Sequence, residues 1–323
     1  MKAVVADPIG GPENLVYTDL PTPKPGPGEV LVKLEAIGVN FIDVYFRTGF
    51  YKAPESPVRL GQEGAGIIAA TGEGVAGWKA GQRVAYTVTR GSYAEYAIVA
   101  PQLLVELPEA VSFEEGAAVM LQGMTAHYLT HSTFGLKPGN TCLIHAAAGG
   151  VGLLLVQLAK IAGATVIGTV STQEKADLVK QYGADHVIRY TEQDFALETK
   201  KLTGGKGVDV VYDSVGKDTF LPSLDCLRPR GLMASFGQSS GGVGQVDPLL
   251  LSQKGSLFLT RPTLRHYIVD AAELKWRSSD LFQWLAAGRL QAPIHKVYKL
   301  ADAAQAHRDL EARRTCGKLL LRP

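Results

Sequence analysis

Hydrophobic and polar positions along the chain keep one rhythm up to about residue 110 and another after 141. In the first part they alternate. Residues 29–37 (EVLVKLEAI) place apolar and polar side chains on opposite faces, as a half-buried strand does. Short strands are predicted around residues 67–71, 83–87 and 94–99, separated by glycine-bearing turns, which suggests a small barrel. Residues 20–28 hold four prolines and two glycines and form an extended loop. Ser112 and Glu115 make a capping box that opens a helix running to about His131. From 141 to 237 short apolar strands (141–145, 164–170, 186–190, 208–215, 231–237) alternate with helices, punctuated by Gly163, Gly183 and Gly231. That is the rhythm of a parallel sheet with helices on both faces. Residues 255–260 (GSLFLT) supply a sixth strand. After 265 helices dominate, and residues 317–321 read as a closing strand that returns to the first domain. The fold class is therefore α/β: a barrel domain from residues 1–123 and 265–323, with a doubly wound domain, residues 124–264, inserted into it and the cofactor between the two.

The inserted domain opens on TCLIHAAAGGVG, residues 141–152, followed by an apolar helix. Strand, small-residue turn and helix in that order let backbone N–H groups and the positive helix end approach a diphosphate. Ala147, Gly149 and Gly152 occupy the three positions of the G-x-G-x-x-G dinucleotide fingerprint, with Ala at the first. A chain that binds NAD carries an acid about 20 residues on, at the end of the second strand. Here that strand ends in Val170-Ser171-Thr172, with Lys175 one helical turn later and Arg189-Tyr190 ending the next strand. A cation and hydroxyls suit a 2′-phosphate, which a carboxylate would repel, so the expected cofactor is NADPH.

Bulk properties change this picture little. The 323 residues fit two domains, and 46% hydrophobic content fills their cores. A net charge of +2 gives no general attraction to nucleic acid or anionic membranes. The first residues meet Asp7 and Pro8 before a signal-peptide core can form, and no apolar run is long enough to span a bilayer. Three cysteines are too few for a disulfide framework, and a reducing cytoplasm is the expected location.

Several motifs follow one another in a recognisable order: Gly10-Gly11-Pro12-Glu13, Gly38-Val39-Asn40-Phe41-Ile42-Asp43, Gly61-Gln62-Glu63-Gly64-Ala65-Gly66 and Gly81-Gln82-Arg83-Val84. Gly91-Ser92-Tyr93-Ala94-Glu95-Tyr96, residues 146–152, Tyr212-Asp213-Ser214-Val215-Gly216 and residues 231–237 continue it. Over nearly its whole length the chain resembles the medium-chain dehydrogenase/reductase superfamily, and within it the zinc-free NADPH:quinone reductases related to zeta-crystallin. Residues 40–51 and 223–231 look especially like bacterial quinone reductases. The resemblance implies a GroES-like barrel as the catalytic domain and a Rossmann domain for NADPH. It departs from the zinc alcohol dehydrogenases, which carry Cys where Val39-Asn40 stands, His at Gln62, and a cluster of four Cys. This chain has no Cys before residue 142. His127 and His131 have a spacing that can bind metal, but a zinc site needs a third ligand and none is evident, so no metal is expected.

The resemblance also implies site residues. Asn40 and Tyr45 would hydrogen-bond the acceptor oxygen or the cofactor, Tyr51 would form the pocket wall, and Asp43 belongs to the same segment. The plain alternative makes the tyrosines packing residues and Asp43 a helix N-terminal residue. Thr125 would lie near the nicotinamide and Gly149, Gly150, Val151 and Gly152 against the diphosphate. Ser171, Lys175 and Tyr190 would surround the 2′-phosphate, with Ser214, Phe236, Gly237 and Ser239 along the strand ends. Arg313 matches a late arginine that reaches the cofactor. The family joins two six-stranded sheets through the strand at 255–260, which implies a homodimer.

Other chemistries fit less well. Residues 237–241 satisfy G-x-S-x-G, but a loop rather than a helix follows, unlike a hydrolase elbow. None of the twelve tyrosines precedes a lysine at the Tyr-x-x-x-Lys spacing of short-chain dehydrogenases. Two acceptor classes remain open, quinones and α,β-unsaturated carbonyls. Relatives of the family also act as lens structural proteins or bind AU-rich RNA, but no basic stripe interleaved with aromatics supports a nucleic-acid partner here.

Overall fold

The computed structural model describes residues 1–323. They fall into two units, Met1–Met124 with Tyr267–Pro323, and Thr125–His266. The first unit begins with strands β1 (Lys2–Ala6), β2 (Leu15–Asp19) and β3 (Val30–Val39), a short helix α1 (Phe41–Arg47) and β4 (Val58–Arg59). β1 lies between β2 and β4 in a three-stranded antiparallel sheet. β3 is the hub of a second sheet. Its alternating side chains let it pair antiparallel with β5 (Glu63–Thr71) and with β7 (Tyr96–Val99), and the sheet continues through β6 (Arg83–Thr87) to β8 (Leu104–Glu106). Val30, Val32, Leu34, Ile37, Ile68, Val84 and Val99 fill the core between them.

The capping box forms as expected, with the Ser112 hydroxyl accepting from the Glu115 N–H, and opens α2 (Phe113–Met120). The helix does not run unbroken to His131. It is interrupted at Leu121, whose N–H donates to the Glu63 carboxylate (2.5 Å) instead of continuing the helical ladder. α3 (Gln122–Tyr128) resumes and ends in a π turn at Leu129–Thr133, where the Thr130 hydroxyl bonds back to the Ala126 carbonyl.

The second unit contains β9 (Thr141–Ile144), α4 (Gly150–Ile161), β10 (Thr165–Val170), α5 (Gln173–Gln181), β11 (His186–Arg189) and α6 (Phe195–Leu202). Then come β12 (Val208–Asp213), α7 (Phe220–Cys226), β13 (Leu227–Ser235), α8 (Pro248–Gln253) and β14 (Phe258–Thr260). The six strands form one parallel sheet in the order β11-β10-β9-β12-β13-β14. β14 is shorter than the run that encodes it because Gly255 and Ser256 adopt left-handed backbone, and it stands at the sheet edge with Phe258 61% exposed.

The chain then returns to the first unit through α9 (Ala271–Ala286), β15 (Ile294–Lys299), α10 (Ala303–Glu311) and β16 (Lys318–Arg322). β15 is a strand that the helical reading of this region misses. β16 pairs antiparallel with β3, Leu319 opposite Val39 and Leu320 opposite Gly38, which brings Lys318 alongside Asn40. No helix is long and apolar enough to cross a membrane.

Candidate functional site

The dinucleotide turn is built almost wholly from backbone. Between β9 and α4, Ala146 takes a left-handed conformation (φ 50°) and Gly149 becomes the N-cap of α4. A Cβ on Gly152 would sit 2.4 Å from the Ala146 carbonyl oxygen, so only glycine lets the helix pack this closely on the turn. Gly150, Val151 and Gly152 are the first three residues of α4, whose N–H groups have no intrahelical acceptor, and no side chain caps them. By contrast α5, α6, α8 and α9 are capped by Thr172, Asp194, Asp247 and Asp270. An uncapped, side-chain-free helix start suits a diphosphate.

The other residues expected around the cofactor in this unit follow carboxyl ends of neighbouring strands. Ser171 comes directly after β10, and Lys175 lies one turn into α5, half-buried. Tyr190 follows β11 and is 44% exposed, while Arg189 is held by Glu192 at 2.6 Å. Ser214 follows β12, and Phe236, Gly237 and Ser239 follow β13. The Asp213 carboxylate fixes these loops by accepting from Val215 N–H (2.7 Å), Gly216 N–H (3.2 Å) and the Thr219 hydroxyl (2.9 Å). A Cβ on Gly237 would meet the Ser214 carbonyl at 2.7 Å, which keeps the two loop ends together. Thr125 is buried in α3. The segment after Gly241 is irregular up to Asp247, so no nucleophile elbow forms.

In the first unit the segment from Asn40 to Tyr51 forms α1 and the turn after it. Tyr45 and Tyr51 pack edge to face at 5.2 Å, with Phe50 5.7 Å from Tyr45 and Phe46 5.7 Å from Tyr51. Asp43, expected in the same segment as Asn40, Tyr45 and Tyr51, is fully enclosed. Its oxygens accept from Asn40 N–H (2.9 Å), Gly61 N–H (3.1 Å) and the Tyr93 hydroxyl (3.1 Å), so it holds the segment in place rather than facing an acceptor. Burial pushes its carboxyl up to about 7. Arg313 follows α10 in the same unit, exposed and in left-handed backbone (φ 56°).

Two buried networks converge on Asn40, and most of their members escape sequence reading. In the first, Arg47 forms two bonds to Glu311 (2.8 and 2.9 Å) and a third to His307 Nδ1 (3.1 Å). Guanidinium only donates, so Nδ1 accepts and His307 carries its proton on Nε2. Nε2 therefore donates to Tyr93 Oη (3.0 Å), and Tyr93 donates to Asp43. Burial and the Arg47 charge hold the His307 pKa down to about 3, in keeping with this neutral form. In the second, Lys318 Nζ donates to Asn40 Oδ1 (2.9 Å) and Glu63 Oε1 (2.5 Å). Gln122 Nε2 also donates to Asn40 Oδ1 (3.0 Å), and Asn40 Nδ2 donates to Glu63 Oε1 (2.6 Å). Burial pulls the Lys318 pKa below its usual value, against the attraction of Glu63. The one sequence signal for Lys318 is a lysine opening an apolar strand.

The two histidines at metal spacing stack ring on ring at 4.2 Å, and His131 Nδ1 is engaged by the Thr130 hydroxyl and the His127 carbonyl. No group of three or more His, Cys, Asp or Glu residues is arranged to hold a metal ion.

Residues 26–109 match the family described as alcohol dehydrogenase GroES-like domain, and residues 150–284 match zinc-binding dehydrogenase. The chain is 50% identical to a quinone oxidoreductase of Pseudomonas aeruginosa over 315 residues, 97% of each chain. It is 43% identical to a 2-haloacrylate reductase of a Burkholderia species over 333 residues, 100% of this chain and 99% of the other. Escherichia coli quinone oxidoreductase, solved in complex with NADPH, superposes with a TM-score of 0.98 at 45% identity, covering 100% of both chains.

Proposed function

The chain belongs to the quinone oxidoreductase family of the medium-chain dehydrogenases/reductases, and from that membership we propose that it reduces quinones with NADPH and without a metal. The observation that carries the metal-free reading is the environment of Asn40. Val39-Asn40 and Gln62 stand where zinc-dependent members supply Cys and His, and the Lys318 ammonium lies 2.9 Å from the Asn40 oxygen. The Asn40 amide is already spent on Lys318, Gln122 and Glu63, and the Glu63 carboxylate is taken by the Lys318 ammonium, which leaves a poor bed for a second cation. Carbonyl chemistry that depends on a Lewis acid loses its catalyst there, whereas a quinone is an acceptor that needs none.

The turn from Ala146 to Gly152 fits a diphosphate, because its small residues leave helix N–H groups uncovered. Ser171, Lys175 and Tyr190 supply hydroxyls and a cation for a 2′-phosphate, and no acid ends β10 to favour a free ribose. When bound, NADPH supplies two electrons and a proton to the quinone, which takes a second proton from solvent to become the hydroquinone. Asn40 orients the acceptor oxygen through its amide, Tyr45 hydrogen-bonds that oxygen or the cofactor, and Tyr51 walls the site with aromatic surface. Turnover of 1,4-benzoquinone should survive exhaustive chelation, with well under one zinc per chain. Stoichiometric zinc whose removal stops turnover contradicts the reading.

A second acceptor class is supported by the 43% identical 2-haloacrylate reductase, which points to reduction of activated carbon–carbon double bonds on the same scaffold. Assembly follows from β14. Phe258 and Leu259 are exposed on an unpaired sheet edge, which invites pairing with a second copy about a two-fold axis. A homodimer is the proposed state.

A further inference from the structure

We propose that Lys318 is a positioning residue for reduction: with Glu63 it locks the Asn40 amide so that Asn40 offers an acceptor oxygen only an N–H. This rests on the reading of Asn40 as an acceptor-facing residue. Which end of an asparagine amide is oxygen is normally a matter of inference. Here the partners decide it. A lysine ammonium has three donors and no acceptor, so the Asn40 atom it touches at 2.9 Å must be Oδ1. Gln122 Nε2 takes the second lone pair of that oxygen at 3.0 Å. On the other side, Nδ2 spends one hydrogen on Glu63 Oε1. One N–H is left.

The surrounding chain is shaped to keep these partners in place. A Cβ on Gly38 would meet Glu63 Oε1 at 2.0 Å, so the carboxylate occupies room that a missing side chain provides. Its other oxygen holds the Leu121 N–H at the helix break, which sets the position of Gln122 next along the chain. The tight turn before β16 has Gly317 in left-handed backbone, with Lys318 N–H bonded to the Pro293 carbonyl at 2.7 Å. A buried ion pair is weak support for stability alone, because apolar replacements often do as well. Orientation is what an apolar pair could not supply. Donation by an ammonium to Oδ1 also polarises the amide and strengthens the remaining N–H as a donor. Such a donor acts on the negative charge that builds on the acceptor oxygen as reduction proceeds.

The test compares the full-length wild type, Lys318→Met, Lys318→Gln and the double variant Lys318→Met/Glu63→Gln. Each is measured for kcat and KM with 1,4-benzoquinone and with an enal, NADPH Kd by fluorescence, and Tm. We expect Lys318→Met and Lys318→Gln to lower kcat at least tenfold while NADPH Kd changes less than twofold. The double variant, which buries no unpaired charge, should recover Tm and keep the low kcat. Recovery of both Tm and kcat in the double variant would reduce the pair to a structural role and overturn the proposal. So would wild-type kcat in both single variants. A wild type that reduces the enal but not the quinone overturns the quinone reading alone, and the Lys318 comparison is then read with the enal. Reduction of neither acceptor by an NADPH-bound wild type overturns both.

Discussion

The turn at residues 146–152 and the segment at residues 40–51, the two regions proposed to meet a ligand, are made of different material. The turn is backbone: a left-handed Ala146, glycines at 149, 150 and 152, and helix N–H groups that no side chain caps. The Asn40 segment is side chain. Its amide and its Asp43 anchor are gripped by Gln122, Glu63, Tyr93 and Lys318, the last of them 278 positions away in the chain. A backbone site leaves its hydrogen-bonding capacity open and tolerates no added volume. A side-chain site spends nearly all its capacity internally, and its weak point is the loss of a partner. The first should therefore break on bulk and the second on charge or protonation.

The largest effect should come from bulk at the turn. Gly152→Val puts side-chain atoms where even a Cβ lies 2.4 Å from the Ala146 carbonyl oxygen. The helix must move off the turn, at a cost of about 3 kcal/mol or more in cofactor affinity or stability. Calorimetric titration should find NADPH binding weakened about a hundredfold or more; binding unchanged would mean that the turn is not the diphosphate site.

Protonation probes the other region. His307 is held neutral, its pKa down to about 3, while the unfolded residue takes up a proton near 6.5. The stability it contributes is thus complete above pH 6.5 and is lost as pH falls towards 3. Between pH 6.5 and 5 the loss amounts to about 2 kcal/mol. Asp43, with its raised pKa, pulls the opposite way as pH rises from about 4 to about 7, so the informative quantity is wild type minus His307→Gln. Denaturant unfolding across this range should show a steeper acid decline in the wild type. Parallel curves would contradict the neutral His307 that the hydrogen bonds require.

What the sequence disclosed follows the same division. Ala147, Gly149 and Gly152 lie within six residues of one another, so a strand, a turn and a helix could be read together. The Ser112–Glu115 capping box is equally local and formed as expected. Arg47, His307 and Lys318 gave no such signal, because their partners are set by the pairing of β16 with β3 and by the packing of α10 beside Tyr93. The break at Leu121 was hidden for the same reason: its cause is a carboxylate 58 residues earlier. Asp43 was visible as a residue near chemistry, but its role is decided by Gly61 and Tyr93.

A smaller effect should follow from removing one charge at the rim of the backbone-built site. Lys175→Ala should weaken NADPH by about 1–3 kcal/mol, the range for a charge-assisted hydrogen bond, and leave NADH nearly unchanged. Equal weakening of both coenzymes would show that Lys175 does not read the 2′-phosphate. The smallest effect on either region should come from the edge strand. Phe258→Pro removes a backbone donor from β14. It should convert a dimer into monomer or aggregate by light scattering while NADPH affinity holds. A wild-type monomer at micromolar concentration rules out the dimer, and an intact dimer in the variant moves its interface elsewhere.

We propose that these two regions serve quinone reduction by NADPH. The most direct test is steady-state NADPH oxidation by the wild type with 1,4-benzoquinone, 9,10-phenanthrenequinone and an enal, each in the presence of a chelator. kcat/KM for at least one quinone should exceed that for the enal by tenfold or more. An enal preferred over both quinones, or turnover that stops with the chelator, would contradict it.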